Sequence, residues 1–79
     1  MKTKSLGELQ VGEKGRVAGF VEGATAYREK LLAMGLTRGT EFIIKRIAPL
    51  GDPVEINLRG FALSLRKNEA SAIIVEKES

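Results

Sequence analysis

The 79-residue sequence contains no cysteine, no histidine and no tryptophan. Without cysteine no disulfide can stabilise the fold. Without cysteine and histidine, the usual ligands of a structural zinc site are missing. The same absences exclude a Ser-His-Asp triad and a thiolate nucleophile, and they leave no side chain whose ordinary pKa lies near neutrality. The composition therefore predicts a protein that is not an enzyme and binds no cofactor.

Carboxylates are the remaining candidates for metal ligands. The predicted helix carries only Glu29, and the predicted strands offer no acidic pair at i, i+2 before Glu76 and Glu78 at the chain end. We therefore expect no tight site for ferrous iron or zinc. A weak surface contact with iron stays open.

Long apolar runs are also absent. The longest, residues 31–36, is far shorter than the roughly 20 residues that a membrane span needs. The basic N-terminus reaches Gly7 and Glu8 before any apolar stretch, which does not fit a signal peptide. We predict a cytoplasmic protein with no direct membrane insertion.

The charge is mildly positive. Thirteen Lys and Arg against ten Asp and Glu give +3, and the cations never form a block longer than two. Such a bias fits nucleic acid, an acidic lipid face or an acidic protein surface equally well.

Residues 1–79 are expected to form one domain. Residues 14–21 alternate as in a strand, with Val17, Gly19 and Val21 on one face. The chain before this strand reads as a tucked-in N-terminal turn. Its apolar residues are Leu6, Leu9 and Val11.

A helix is predicted over residues 25–34, with Thr25 as its N-cap. Tyr27, Leu31 and Met34 recur at i, i+4 and i+7 and give it one apolar face. Gly35 stands where a left-handed C′ residue belongs, which predicts a Schellman cap.

Glycine also marks the next turn, residues 37–40, where Gly39 can adopt positive φ. A strand over residues 41–47 follows, and its consecutive Ile43 and Ile44 suggest either burial on both faces or a β-bulge.

The second half of the sequence predicts a hairpin with a two-residue loop at Arg59-Gly60. This loop pairs residue 58 with 61, 56 with 63 and 54 with 65, so six apolar residues share one face. One helical turn at 67–70 and a last strand at 72–76 follow. Four or five short strands around one brief helix predict a mainly β fold, a small closed barrel.

Three segments in this order resemble the FeoA family: residues 27–40 (YREKLLAMGLTRGT), 48–53 (APLGDP) and 58–66 (LRGFALSLR). The resemblance extends over about residues 6–75. It implies an SH3-like barrel and an accessory role in bacterial ferrous iron uptake. The implied partner is FeoB, a membrane permease with a GTP-binding domain, for which this domain would be a docking or regulatory module. Family members commonly have proline where this chain has Arg38, so the turn is expected to be slightly looser.

The loop Pro49-Leu50-Gly51-Asp52-Pro53 is the first candidate for partner binding. Leu50 could project as an apolar knob held between two φ-restricted prolines, with Asp52 as an acceptor. Alternatively, the prolines and Gly51 only turn the chain, Leu50 closes the core and Asp52 bonds local backbone. The sequence leaves both interpretations open.

Exposed arginines supply the other candidates. Arg59 and Arg66 on the hairpin could recognise carboxylate or phosphate through the planar guanidinium. Alternatively they only solvate the hairpin, and Arg66 pairs with Glu69. Arg28 is the outward candidate on the helix.

The chief alternative function is a nucleic-acid-binding or transcription-linked module, because small barrels bind single strands through basic grooves and stacked aromatics. Only four residues are aromatic: Phe20, Tyr27, Phe42 and Phe61. Their positions place most of them inward, so no nucleic-acid partner is expected.

Overall fold

The computed structural model describes residues 4–78, which form one antiparallel sheet of six strands with two α-helices and a 3₁₀ turn. The strand order is β1-β6-β2-β3-β4-β5. The mainly β prediction with a short helix and a short helical turn is confirmed. The elements are β1 Lys4–Ser5, the 3₁₀ turn Leu6–Glu8, β2 Lys14–Phe20, α1 Thr25–Ala33, β3 Glu41–Ile47, β4 Val54–Leu58, β5 Phe61–Leu65, α2 Lys67–Ser71 and β6 Ile73–Glu78.

The sheet curls around one core, but strand pairing does not close it. β1 and β5 end the strand order, and within residues 4–78 no further strand pairs with either. In the described chain β1 ends at Ser5, whose N–H donates to the Glu8 carboxylate at 2.9 Å as the chain enters the 3₁₀ turn. Helix α2 contacts both β5 and the 3₁₀ turn and so bridges the opening.

The interior is built mainly from aliphatic side chains, together with Phe42. Leu6 and Leu9 of the N-terminal segment are buried as predicted, but Val11 is 58% exposed. Val11 precedes Gly12, whose φ of 92° turns the chain at the surface. The fully buried large side chains are Leu6, Leu31, Leu36, Ile44, Ile56, Leu65, Ile73, Val17 and Val75.

A β-bulge in β2 overturns part of the predicted alternation. Val17 lies opposite Val75 and Gly19 opposite Ile74, so Ala18 is an extra residue without a partner in β6. The extra residue exchanges the faces that follow it. Phe20 therefore packs against the core, and Val21, predicted to share the face of Val17, is 37% exposed.

Helix α1 begins one residue earlier than the predicted cap implies. Ala24 is the N-cap, with no side-chain capping bond, so the prediction of Thr25 as N-cap is wrong. The Ala24 carbonyl accepts the N–H groups of Tyr27 and Arg28, and the small Ala24 side chain is buried, where a polar cap would lack water. Leu31 lies in the core as expected.

The predicted end of α1 is confirmed. Gly35 has φ of 100°, the Leu36 N–H donates to the Leu31 carbonyl at 3.0 Å, and the Gly35 N–H donates to the Leu32 carbonyl at 3.0 Å. These are the two bonds of a Schellman motif.

The strands of the second half follow the sequence pattern closely. β3 has its predicted bounds, and its bulge lies at Lys45, which has no partner in β4. The hairpin has the predicted register, Leu58 opposite Phe61 and Val54 opposite Leu65. The last strand begins one residue later and ends two later than the prediction of 72–76.

Candidate partner-binding surface

The loop between β3 and β4 is tightly folded. The Gly51 N–H donates to the Ala48 carbonyl at 2.7 Å, and the Ala48 N–H donates to the Pro53 carbonyl at 3.1 Å. Gly51 has the positive φ, 82°, that this turn requires. Leu50 lies at the tip and is 89% exposed, so the interpretation in which it closes the core is wrong.

Asp52 fixes this loop to the start of α2. Its Oδ1 accepts the Lys67 N–H at 3.1 Å and lies 4.0 Å from Nε of Arg66. The backbone bond is thus to a residue far along the chain, not to the local backbone that the alternative interpretation expected. It brings the Leu50 loop and Arg66 to the same end of the barrel.

Arg66 does not pair with Glu69 through its guanidinium, which the sequence suggested. Instead the Arg66 backbone N–H donates to Glu69 Oε1 at 2.9 Å, and Nζ of Lys30 lies 2.6 Å from Glu69 Oε2. The Lys30 hydrogen bond, followed by the Arg66 N–H, lowers the pKa of Glu69 despite its burial. The pair therefore joins α1 to α2.

Glu69 is a structural residue that the sequence reasoning missed. It is only 4% exposed. One signal could have found it: a glutamate at the third position of a helix commonly caps its own N-terminus. Its partner on α1 has no local sequence signature.

Arg59 lies at the opposite end of β5, in the hairpin turn. At the usual strand rise, the five residues of β5 separate the two ends by about 13 Å. Arg59 is exposed and borders a shallow depression of about 420 Å³ that also includes Gly35, Leu58 and the half-exposed Phe61. No carboxylate of the described chain pairs with Arg59.

Arg28 belongs to a different place. It is exposed on α1 and lines a cleft of about 610 Å³ between the helix and residues 19–25. Arg38 reaches the same cleft, and its Nε donates to the Ala18 carbonyl at 3.1 Å. The Arg38 side chain therefore connects the 37–40 turn to the β2 bulge.

The structure thus divides the predicted site residues into three groups. Leu50, Asp52 and Arg66 lie together at one end of β5, Arg59 lies at the other end, and Arg28 faces a separate cleft. The predicted structural glycines behave as expected, since Gly35, Gly39, Gly51 and Gly60 all have positive φ.

The acidic residues do not gather into a metal site in the described part of the chain, where no group of three or more Asp or Glu could hold an ion. None of the described helices has the length and apolar character needed to cross a membrane.

Comparison with known proteins gives the family. The FeoA domain matches residues 4–77. The chain belongs to the FeoA family. The NMR structure of the FeoA-like protein from Clostridium acetobutylicum is 43% identical, with a TM-score of 0.89, and the match covers 100% of this chain and 91% of that one.

A curated relative places such a domain in a larger protein. The Fe(2+) transport protein A/Fe(2+) transporter FeoB fusion protein of Porphyromonas gingivalis (strain ATCC BAA-308 / W83) is 35% identical over 71 residues. The match covers 90% of this chain but only 8% of the relative.

A structure with lower sequence identity confirms the predicted SH3-like fold. The crystal structure of Stenotrophomonas maltophilia FeoA complexed with zinc, described as a prokaryotic SH3 domain protein, has a TM-score of 0.77 at 23% identity. The match covers 91% of this chain and 88% of that one. At this identity the likeness shows the SH3-like fold and carries no residue roles.

Proposed function

We propose that this FeoA domain is a cytoplasmic, non-catalytic docking and regulatory module for a FeoB-like permease with a GTP-binding domain. One observation carries the proposal: the P. gingivalis relative joins an Fe(2+) transport protein A to a FeoB transporter in one chain. Proteins that are fused in one organism commonly act together when separate in another, because fusion only raises the effective concentration of partners that already meet.

The proposed docking surface consists of the loop tip at Leu50 and the cationic ends of β5, Arg66 and Arg59. Leu50 is an apolar side chain held in water by a hydrogen-bonded loop, so it loses little conformational freedom on binding. Asp52 supports the surface by holding the loop against α2. The exposed Arg28 is the next candidate if this surface is not used.

The test is capture of the permease's cytoplasmic region by Leu50→Ala. An apolar anchor at an interface contributes on the order of 2 kcal/mol, so we expect about a 30-fold loss of affinity. The melting temperature should hardly change, because the side chain is outside the core. Val11→Ala, an exposed aliphatic residue outside the loop, is the matched control.

Arg59→Ala supplies the electrostatic half of the test. A cation at the rim of an interface acts mainly on the association rate, so its loss should flatten the salt dependence of binding. If Leu50→Ala and Arg59→Ala both bind like the parent protein, the docking surface is wrong. If the parent protein does not bind the permease region at all, the proposed function is wrong.

The nucleic-acid alternative has little support from the side chains. Phe42 is buried, and Phe20 and Tyr27 pack against the core, which leaves only Phe61 as a surface platform for base stacking. An oligonucleotide affinity that falls steeply with salt would favour the alternative over permease docking.

A further inference from the structure

The outer edge of β5 has no strand partner in the described chain, and its residues Ala62 and Ser64 are exposed although α2 also contacts β5. β5 pairs only with β4 among the described strands, and its sequence, Phe61-Ala62-Leu63-Ser64-Leu65, has no charge and no proline. Exposed edges in natural sheets are usually shortened, charged or interrupted by proline, because bare edges recruit foreign strands. At the opposite edge, the described part of β1 carries a charged residue, Lys4.

The hairpin register identifies the free backbone groups. Leu58 and Phe61 flank a two-residue loop and form a hydrogen-bonded pair, so residues 61, 63 and 65 bond to β4. Ala62 and Ser64 then direct their N–H and C=O groups away from β4. Both residues are exposed. An added strand can form four backbone hydrogen bonds with them.

The charges around the β5 edge indicate which kind of strand can pair with it. Arg59 precedes the edge, Arg66 and Lys67 follow it, and neither Arg59 nor Lys67 has an ion pair within residues 4–78. The nearby carboxylates are engaged: Asp52 with Arg66 and the Lys67 N–H, and Glu55 on the outer face with Arg46 at 4.0 Å. The edge is therefore neutral in its centre and cationic at both ends.

This pattern opposes pairing with a second copy. Antiparallel pairing of β5 with β5 of another molecule would bring Arg59 of one copy beside Arg66 and Lys67 of the other at both ends. Like charges placed opposite each other across strands are destabilising. A strand with acidic residues at both ends and a neutral centre meets no such repulsion.

We propose that β5 binds an extended, acid-flanked segment of the permease's cytoplasmic region by β-strand addition, through the backbone groups of Ala62 and Ser64. This inference rests on the proposed function and gives its mode of binding. Main-chain hydrogen bonds supply the affinity in this mode, and the flanking charges supply the choice of partner.

The first experiment measures amide hydrogen exchange by NMR with and without the permease's cytoplasmic region. In the free protein the Ala62 and Ser64 amides should exchange rapidly, whereas those of Phe61 and Leu63, bonded to β4, should be protected. On binding, the Ala62 and Ser64 amides should become protected. Docking through side chains alone would leave them fast and would overturn the inference.

The second experiment is Ala62→Pro, which removes an outward N–H without removing a bond to β4. We expect about tenfold weaker binding, from one lost hydrogen bond and a ring that obstructs the edge. The matched control, Ala62→Ser, changes the side chain, keeps the N–H and should bind like the parent. A folded Ala62→Pro protein that binds like the parent would overturn the inference.

Three further outcomes separate the possibilities. Concentration-dependent protection of Ala62 and Ser64 in the protein alone would show self-pairing and overturn the acidic partner strand. If the permease region binds the parent with Leu50 required but with unprotected edge amides, the proposed function stands and strand addition fails. If the permease region does not bind the parent, both fail. Should Ala62→Pro not fold, the exchange measurement on the parent still decides.

Discussion

Gly35→Ala tests the junction between α1 and the rest of the barrel. Gly35 has φ of 100°, and an alanine forced into the left-handed region costs roughly 1–2 kcal/mol. Because alanine has less conformational freedom than glycine in the unfolded chain, the substitution also stabilises the folded state by about 0.4–1 kcal/mol. From the backbone alone we therefore expect Gly35→Ala to lower the free energy of unfolding by roughly 1 kcal/mol.

A second contribution comes from packing. A Cβ on residue 35 would lie 3.3 Å from Cζ of Phe61 and 3.7 Å from Cδ1 of Leu58. The first contact is tight, but the Phe61 ring is half exposed and can shift by a few tenths of an ångström. We therefore expect a total loss of ~1–2 kcal/mol, and each kcal/mol lowers Tm by about 4–8 °C in a domain of this size.

Gly39→Ala separates the two contributions, because Gly39 has φ of 90° and a Cβ there meets no atom within 4 Å. In thermal unfolding followed by circular dichroism, Gly39→Ala should show the backbone cost alone, and Gly35→Ala should exceed it. In a Phe61→Ala background the difference should vanish. An unchanged Tm for both glycine variants would refute the conformational argument, and equal losses would refute the Phe61 contact.

Two further predictions concern the carboxylates. Because the pKa of Glu69 in the folded protein lies below its ordinary value of 4.5, its stabilisation is present above that pH and is lost as the pH falls through the folded-state pKa. Glu69→Gln should therefore lower the free energy of unfolding at neutral pH by about 1–3 kcal/mol and flatten the acid side of the plot of stability against pH. The control Glu29→Gln, at an exposed position, should change neither. An unchanged acid side for Glu69→Gln would contradict this role. Equilibrium dialysis of the tag-free protein should find no tight ferrous or zinc site, because thiolate and imidazole ligands are missing, and a stoichiometric, submicromolar site would overturn this expectation.

The parts of the fold that the sequence predicted well are those set by local rules. A two-residue loop leaves one register for the β4–β5 hairpin, and the structure has that register. Gly35 was predictable because only a left-handed residue forms a Schellman cap after an amphipathic helix. In both cases the deciding atoms lie within a few residues of each other along the chain.

The errors come from interactions between distant segments. The alternation of β2 continues through Ala18 in the sequence, so nothing local reveals that β6 skips this residue and exchanges the faces of Phe20 and Val21. Likewise, the burial of Glu69 depends on Lys30 from α1. The bridging of the barrel opening by α2 is also decided by tertiary contacts, those of α2 with β5 and with the 3₁₀ turn.

In the candidate site, too, contacts between distant segments were not predicted from the sequence. These contacts decide which residues can contribute to binding. Asp52 was predicted as an acceptor for a partner, yet its carboxylate already accepts the Lys67 N–H and faces Arg66. A group whose partner is inside the protein gains little from a new one, since binding would have to break the existing contact. Leu50 and Arg59 carry no such internal contact, so they should supply the affinity and the association rate. Asp52 should act through the position of the loop, and the free backbone groups of Ala62 and Ser64 lie between the two ends of this surface.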